Sequence, residues 1–235
     1  MREVNLLIWA IVPCKHLASV NSRLMAVLSA AERRQLACAM LSDVLGALVD
    51  TPRLAGVLVA SEDPTVKNIA ISFGARCLDD FIDTGLSPAL TRSSRLLAGE
   101  GAHGVIAIHA DLPLLTSADI TAVIGNIVHD PAVAIAPAET DLGTNVLAMS
   151  PPGVVAYAFG EKSSLRHASA AKARSIEPTI IASPTMGFDL DTPADLSRFA
   201  ATPSDTRTYG YLAESGIRER LAGQRTDRMQ NANMG

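Results

Sequence analysis

Cysteine is scarce: the chain has Cys14, Cys38 and Cys77, with no C-x-x-C pair and no histidine cluster beside them. That excludes a zinc or iron–sulfur signature and fits a reducing compartment. No apolar run reaches the ~20 residues that a membrane helix needs. Residues 5–12 are apolar and follow Arg2, but they run into Pro13-Cys14-Lys15 without a small-residue cleavage site. They read as a buried first strand rather than the core of a signal peptide. Positive charge is not in excess either, since the formal net charge is −4, which argues against broad nucleic-acid binding while leaving room for a local basic site. GxSxG, HExxH, GxGxxG and GxxxxGK[ST] are all missing. Hydrolase, zincin, dinucleotide and Walker A readings therefore lack their usual signals. The expectation is a cytoplasmic protein with neither a membrane nor a nucleic-acid partner.

What is present is a chain of 235 residues, 48% hydrophobic and 19% charged, as in a compact folded protein. Strand-like and helix-like segments alternate along it. Strands are expected over 4–12, 56–60, 75–78, 104–109, 132–136, 146–149 and 176–181. Helices are expected over 63–73, 88–98, 163–173 and 193–199, and from a capping box at Ser29 and Glu32 to about Val49. Thr116 is expected to cap one more. The alternation points to an α/β fold with a mostly parallel central sheet flanked by helices. There is no internal repeat. Residues 1–222 read as a single domain, and 223–235, polar and without periodicity, as a disordered tail.

In such a sheet, ligands collect beyond the C-terminal ends of the strands, and four polar groups follow strand segments. In VPCKHLASVNSRL, residues 12–24, Lys15 and Arg23 stand in a loop of small residues. They suit a triphosphate, or equally a solvated loop with two surface cations. In HADLPLL, residues 109–115, Asp111 leaves an apolar strand and meets a turn forced by Pro113, a placement that suits Mg²⁺ and that an ordinary turn aspartate ahead of a helix would also explain. In FDLDTPADL, residues 188–196, Asp189 and Asp191 face one way in an extended segment, which suggests a cation between them. Asp191 or Thr192 can also serve as a helix cap ahead of Pro193. The last group joins Gly143-Thr144-Asn145 to GEKSSLRH, residues 160–167. Gly143 and Gly160 permit close backbone approach, and Ser163, Arg166 and His167 sit near a helix start. A plain N-cap, a surface charge and a structural histidine would explain the last three as well.

Taken in order, VPCKHLASVNSRL, LSAAERRQLACAML, DLPLL, GTN, FGEKSSLRH, GFDLDTPADL and TRTYGYLAESG resemble the 2-phospho-L-lactate guanylyltransferase family of coenzyme F(420) biosynthesis, over roughly residues 8–222. That family is part of a larger group of Rossmann-like nucleotidyltransferases that includes molybdenum-cofactor guanylyltransferase. The resemblance implies the nucleotide-diphospho-sugar transferase fold and the condensation of GTP with a phosphorylated three-carbon acid, releasing pyrophosphate. Family acceptors are 2-phospho-L-lactate, phosphoenolpyruvate and 3-phospho-D-glycerate, and the product passes to a downstream transferase of the pathway. Carried over by position, Lys15 and Arg23 meet the GTP phosphates and, with Asp111, form the catalytic set. Asp111, Asp189 and Asp191 hold Mg²⁺. Thr144, Gly160 and Ser163 cradle the acid, with Arg166 and His167 nearby. A transferase with another base or acceptor, and a non-catalytic nucleotide-binding partner, are the competing readings; the oligomeric state is open.

Three positions depart from the family pattern. Asn21 stands where a Lys is usual, Ser87 replaces a common Asn, and Ser164 replaces a usual Phe. A small hydroxyl residue in place of a ring is expected to open the acceptor pocket to water or to a substrate hydroxyl, favouring 3-phospho-D-glycerate.

Overall fold

The computed structural model describes residues 6–17, 20–79 and 85–223. The first strand, β1 (Ile8–Pro13), leads through a loop and a 3-10 turn (Ser22–Ala26) into α1 (Ala30–Val49). The Glu32 amide donates to the Ser29 hydroxyl and the Ser29 amide to the Glu32 carboxylate, the reciprocal cap that the sequence announces. Then come β2 (Leu54–Ala60), α2 (Pro64–Ser72), β3 (Arg76–Leu78), α3 (Leu86–Gly99), β4 (Gly104–Ile108) and α4 (Ser117–Gly125). The chain continues with β5 (Ala132–Pro137), β6 (Thr144–Ser150), α5 (Ser163–Lys172), β7 (Thr179–Ile180), α6 (Pro193–Ala200) and α7 (Arg207–Glu214).

The strands form a seven-stranded sheet in the order β3-β2-β1-β4-β6-β5-β7. β1 pairs in parallel with β2 and β4, whereas β6 runs antiparallel to both of its neighbours. Its first residue, Thr144, therefore lies at the same edge as the C-terminal ends of β4 and β5. Strand order reverses between β1 and β4, and a crevice beyond their C-terminal ends is the expected ligand position.

Side chains alternate across the sheet. Ala10 and Val12 of β1 join a core with Leu41, Val44 and Leu48 of α1, Val66 of α2 and Ile120 of α4. Ile11 faces the other way, into a core with Leu90 and Leu97 of α3 and Ala171 of α5. A third cluster gathers Leu24, Leu36 and Met40 with Phe188, Leu190, Phe199, Leu212 and Ile217. It clamps the 3-10 turn, α6 and α7 onto the first half of α1 and so fixes the segment that carries Asp189 and Asp191.

Two elements differ from expectation. The strand expected over 176–181 shrinks to Thr179–Ile180, because the Ile176 amide turns back to the Ala171 carbonyl and Pro178 has no amide to give. Helix α7 was not anticipated. It is docked by Asp43 of α1, whose carboxylate accepts the Arg207 and Thr208 amides and the Thr208 hydroxyl. Residues 217–223 are helical too, so Gly223 belongs to a helix, and the rest of the expected tail, 224–235, lies outside the described residues. Among the described residues, no helix is long and apolar enough to cross a membrane.

Candidate active site

The first loop is built against the end of β2. Past Pro13, the Cys14 amide donates to the Ala60 carbonyl at 2.9 Å, extending the parallel ladder by one bond. Lys15 and His16 are exposed, while Leu17 turns into the core at 2% exposure. Asn21 takes a left-handed conformation (φ 52°) and starts the 3-10 turn that carries Arg23. Asparagine tolerates that backbone well. Its Nδ2 is shielded from solvent and has no hydrogen-bond partner, so a donor remains at the position where the family usually places a cation.

The acidic group comes from two segments joined by the Leu190 amide, which donates to the Asp111 carbonyl at 3.0 Å. Leu190 is fully buried, so its neighbours Asp189 and Asp191 are turned to the opposite side of the extended segment. Thr192, not Asp191, caps α6: its hydroxyl accepts the Asp195 amide, with Asp195 reciprocating. Both aspartates are thereby free of capping duty. Asp191 pairs with Arg23 (Oδ2 to Nη1, 2.6 Å), and Asp189 Oδ1 accepts from Asn145 Nδ2 at 3.3 Å. Asn145 is itself held by the Met186 carbonyl at 2.9 Å.

Burial pushes the Asp111 carboxyl above the usual range, the charge of Asp191 adds to the rise, and His109 offsets part of it. Burial likewise raises Asp189, with the Asp111 charge second and the Asn145 hydrogen bond opposing. Asp111 Oδ1 is shielded and lacks a hydrogen-bond partner, although the side chain as a whole is 32% exposed; the nearest cationic candidate is His109 Nδ1 at 4.0 Å. Two partly buried carboxyls, each raised in part by a neighbouring aspartate, and a shielded oxygen without a partner fit a cation from solution. Among the described residues, no three acidic, histidine or cysteine side chains are gathered into a closed ligand cage. Mg²⁺ takes one or two carboxylates and completes its shell with water and phosphate, so it needs no such group.

The start of β6 and the start of α5 make a hydrogen-bonded framework. Ala158 donates its amide to His167 Nε2 at 2.9 Å, so the neutral ring carries its proton on Nδ1 and donates to Thr144 Oγ1 at 3.0 Å. Ser163 Oγ also donates to Thr144 Oγ1 at 3.0 Å. With two donors received, the Thr144 hydroxyl is left to donate. Burial, with Arg166 adding, pushes the His167 pKa down to about 4, which keeps the ring neutral. Arg166 turns back to the chain, its guanidinium donating to the Ala158 and Glu161 carbonyls. Gly160 has φ 121°, a conformation closed to most side chains, and an added Cβ would meet Arg166 Nη2 at 3.4 Å. Phe159 packs between His109 (5.4 Å) and His167 (5.1 Å).

Lys15, Arg23, Asp111, Thr144, Gly160, Ser163, Asp189 and Asp191 all line one cavity of about 820 Å³. Arg166 and His167 do not line it; they brace its wall from behind. Asn145, named within its motif without a role, and His109, not singled out, line it as well. Asp63 was read only as the edge of a helix and turns out to reach the first loop, where its Oδ2 accepts the Leu17 amide at 2.9 Å. The expectation for Ser164 is corrected. Its hydroxyl donates to the Leu142 carbonyl at 2.6 Å and it does not line the cavity, so it opens no room for a substrate hydroxyl. The Ser87 hydroxyl is likewise taken, accepting the Phe159 amide at 3.1 Å.

Known proteins resemble this chain in both sequence and fold. A phosphoenolpyruvate guanylyltransferase of Rubrobacter xylanophilus is 38% identical over 83% of this chain and 94% of its own length. A candidate nucleotide-diphospho-sugar transferase from Desulfovibrio desulfuricans G20 superposes with a TM-score of 0.73 at 15% identity, covering 91% of this chain and 97% of that one. A nucleotidyl transferase from Methanothermobacter thermautotroptrophicus superposes at 0.61 with 14% identity, covering 82% and 95%. The two structures share the fold alone. The family described as "Guanylyl transferase CofC like" matches residues 8–231, and the chain, a nucleotidyltransferase with its polar motifs gathered at one sheet edge, belongs to that family.

Proposed function

We propose that this enzyme joins GMP from GTP to the phosphate of phosphoenolpyruvate, releasing pyrophosphate, as a step of coenzyme F(420) biosynthesis. The observation that carries this reading is the single cavity lined by Lys15 and Arg23, by Asp111, Asp189 and Asp191, and by Thr144 and Ser163. Two anionic substrates need such a division: cations for the triphosphate, and a separate cradle for the acid.

A phosphate oxygen of the acceptor is already an anion at neutral pH, so no general base is required. It forms a new bond to the α-phosphorus as the bond from that phosphorus to the β-phosphate oxygen breaks, and pyrophosphate leaves with the electron pair. The protein's part is alignment and charge compensation. Lys15 and Arg23 meet the triphosphate. Thr144, with its hydroxyl left to donate, and the backbone around Gly160 and Ser163 receive the acid. One or two of Asp111, Asp189 and Asp191 would hold Mg²⁺, which would supply positive charge to the phosphates. Arg23 then exchanges Asp191 for phosphate. The relative's name supports phosphoenolpyruvate as the acceptor, and the commitment of Ser164 to Leu142 removes the reason to expect a hydroxylated acid.

Pyrophosphate release measured across four nucleoside triphosphates and three acids, with and without Mg²⁺, tests the reading. The expected result is Mg²⁺-dependent release from GTP with phosphoenolpyruvate ahead of 2-phospho-L-lactate and 3-phospho-D-glycerate. Preference for another nucleotide, or faster turnover of either other acid, would refute the corresponding half.

A further inference from the structure

We propose that Asp63, outside the cavity, is a positioning residue that anchors the first loop so that Lys15 is held ready for the nucleotide triphosphate. The inference rests on the assignment of Lys15 to the triphosphate made above.

Asp63 does more than cap α2. Its Oδ1 performs that task, accepting the Thr65 amide at 2.8 Å and the Val66 amide at 3.4 Å. Its Oδ2 reaches across to another element and accepts the Leu17 amide at 2.9 Å, with His16 Nδ1 at 3.2 Å. The side chain is 1% exposed. A capping carboxylate has no need of burial, and burying a charge is costly unless it is fully hydrogen-bonded. Here burial alone would raise the carboxyl, yet the Leu17, Thr65 and Val66 amides and His16 hold it below its ordinary range.

The anchor is itself anchored. The Asp63 amide donates to Ser61 Oγ at 3.2 Å, and the Ser61 amide donates to the Leu78 carbonyl at the end of β3. The loop is thus fixed at Cys14 by the Ala60 carbonyl and at Leu17 by Asp63 and by burial of its own side chain. Lys15 lies between the two fixed points. Its side chain remains exposed, but its backbone is ordered before the nucleotide arrives, which reduces the ordering left to be done on binding.

Three proteins test this: wild type, Asp63→Ser and Asp63→Ala. Serine keeps the cap and deletes the reach to Leu17; alanine deletes both. Should the serine variant not fold, Asp63→Asn replaces it, since one amide oxygen still caps while the amide nitrogen opposes the Leu17 amide. Hydrogen exchange at Leu17 in the nucleotide-free protein reports the anchor without any turnover. Steady-state pyrophosphate release with GTP and phosphoenolpyruvate reports positioning. The proposal expects faster Leu17 exchange in both variants and a KM for GTP raised about tenfold in both. The KM for the acid should stay within twofold, and the melting temperature should fall further in Asp63→Ala than in Asp63→Ser. Unchanged exchange at Leu17, or a KM for GTP within twofold of wild type in Asp63→Ser, overturns it. A wild-type protein that releases no pyrophosphate from GTP with any of the three acids fails the proposed function itself, before any variant is compared.

Discussion

Asp111 sits at the meeting point of three influences: partial burial, a second aspartate and a histidine 4.0 Å away. Its shielded Oδ1 has no protein donor, which fits the role proposed for it as a cation ligand. Replacing it with asparagine keeps its size and removes the charge that a divalent ion needs. Asp111→Asn should therefore lose ~10²–10³ in turnover, as for other charge-stabilising groups. It should also weaken binding of Mn²⁺, a spectroscopic stand-in for Mg²⁺, in the presence of GTP. Because the substitution relieves repulsion with Asp191, thermal stability should hold or rise. A folded variant with at least half of wild-type turnover and undiminished Mn²⁺ binding would remove Asp111 from the metal site.

At the scale of elements, much was legible because local rules and tertiary structure agree. Ser29 with Glu32, Thr116 and the Pro193 turn announce helix starts that the structure keeps, and the continuous apolar runs of β1 and β4 fit strands covered on both faces. Strand direction was not legible. Nothing in residues 144–150 tells that β6 runs antiparallel, yet that reversal is what brings Thr144 and Asn145 to the edge occupied by Asp111. Long-range polar pairs were hidden for the same reason: Asp63 with Leu17, and Asp43 with α7, join residues that only the folded chain makes neighbours. The segment around Leu190 shows how the open alternative resolves. Thr192→Ala should cost about 1 kcal/mol of stability with activity retained, since it removes a cap outside the cavity. Asp191→Ala should show the opposite, a loss of turnover with little change in unfolding free energy. Denaturant unfolding beside pyrophosphate release separates them, and equal stability losses without loss of activity would make the segment structural.

For the whole molecule, the framework behind Thr144 carries a pH dependence into global stability. His167 is fully buried between Thr144, the Ala158 amide, Ser163 through Thr144, and the Phe159 ring, with the Arg166 charge beside it. The ring is held neutral down to about pH 4, whereas in the unfolded chain it takes a proton near the ordinary histidine value of 6.5. Between those values the unfolded state binds more protons, so this residue's contribution to stability is intact above pH 6.5 and declines as pH falls towards 4. From pH 7 to pH 5 the loss is about 2 kcal/mol, with the 1.36 kcal/mol per unit that links pKa to free energy. Asp43, whose carboxyl is raised by burial, acts in the opposite sense as pH falls, so the total slope of the wild type mixes signs. The difference between wild type and His167→Gln isolates the ring. Urea unfolding at pH 5, 6 and 7 should show the wild type losing about 2 kcal/mol more than the glutamine variant across that interval. Parallel slopes for the two proteins would mean that the ring titrates alike folded and unfolded, and that the Thr144 framework does not depend on a neutral histidine.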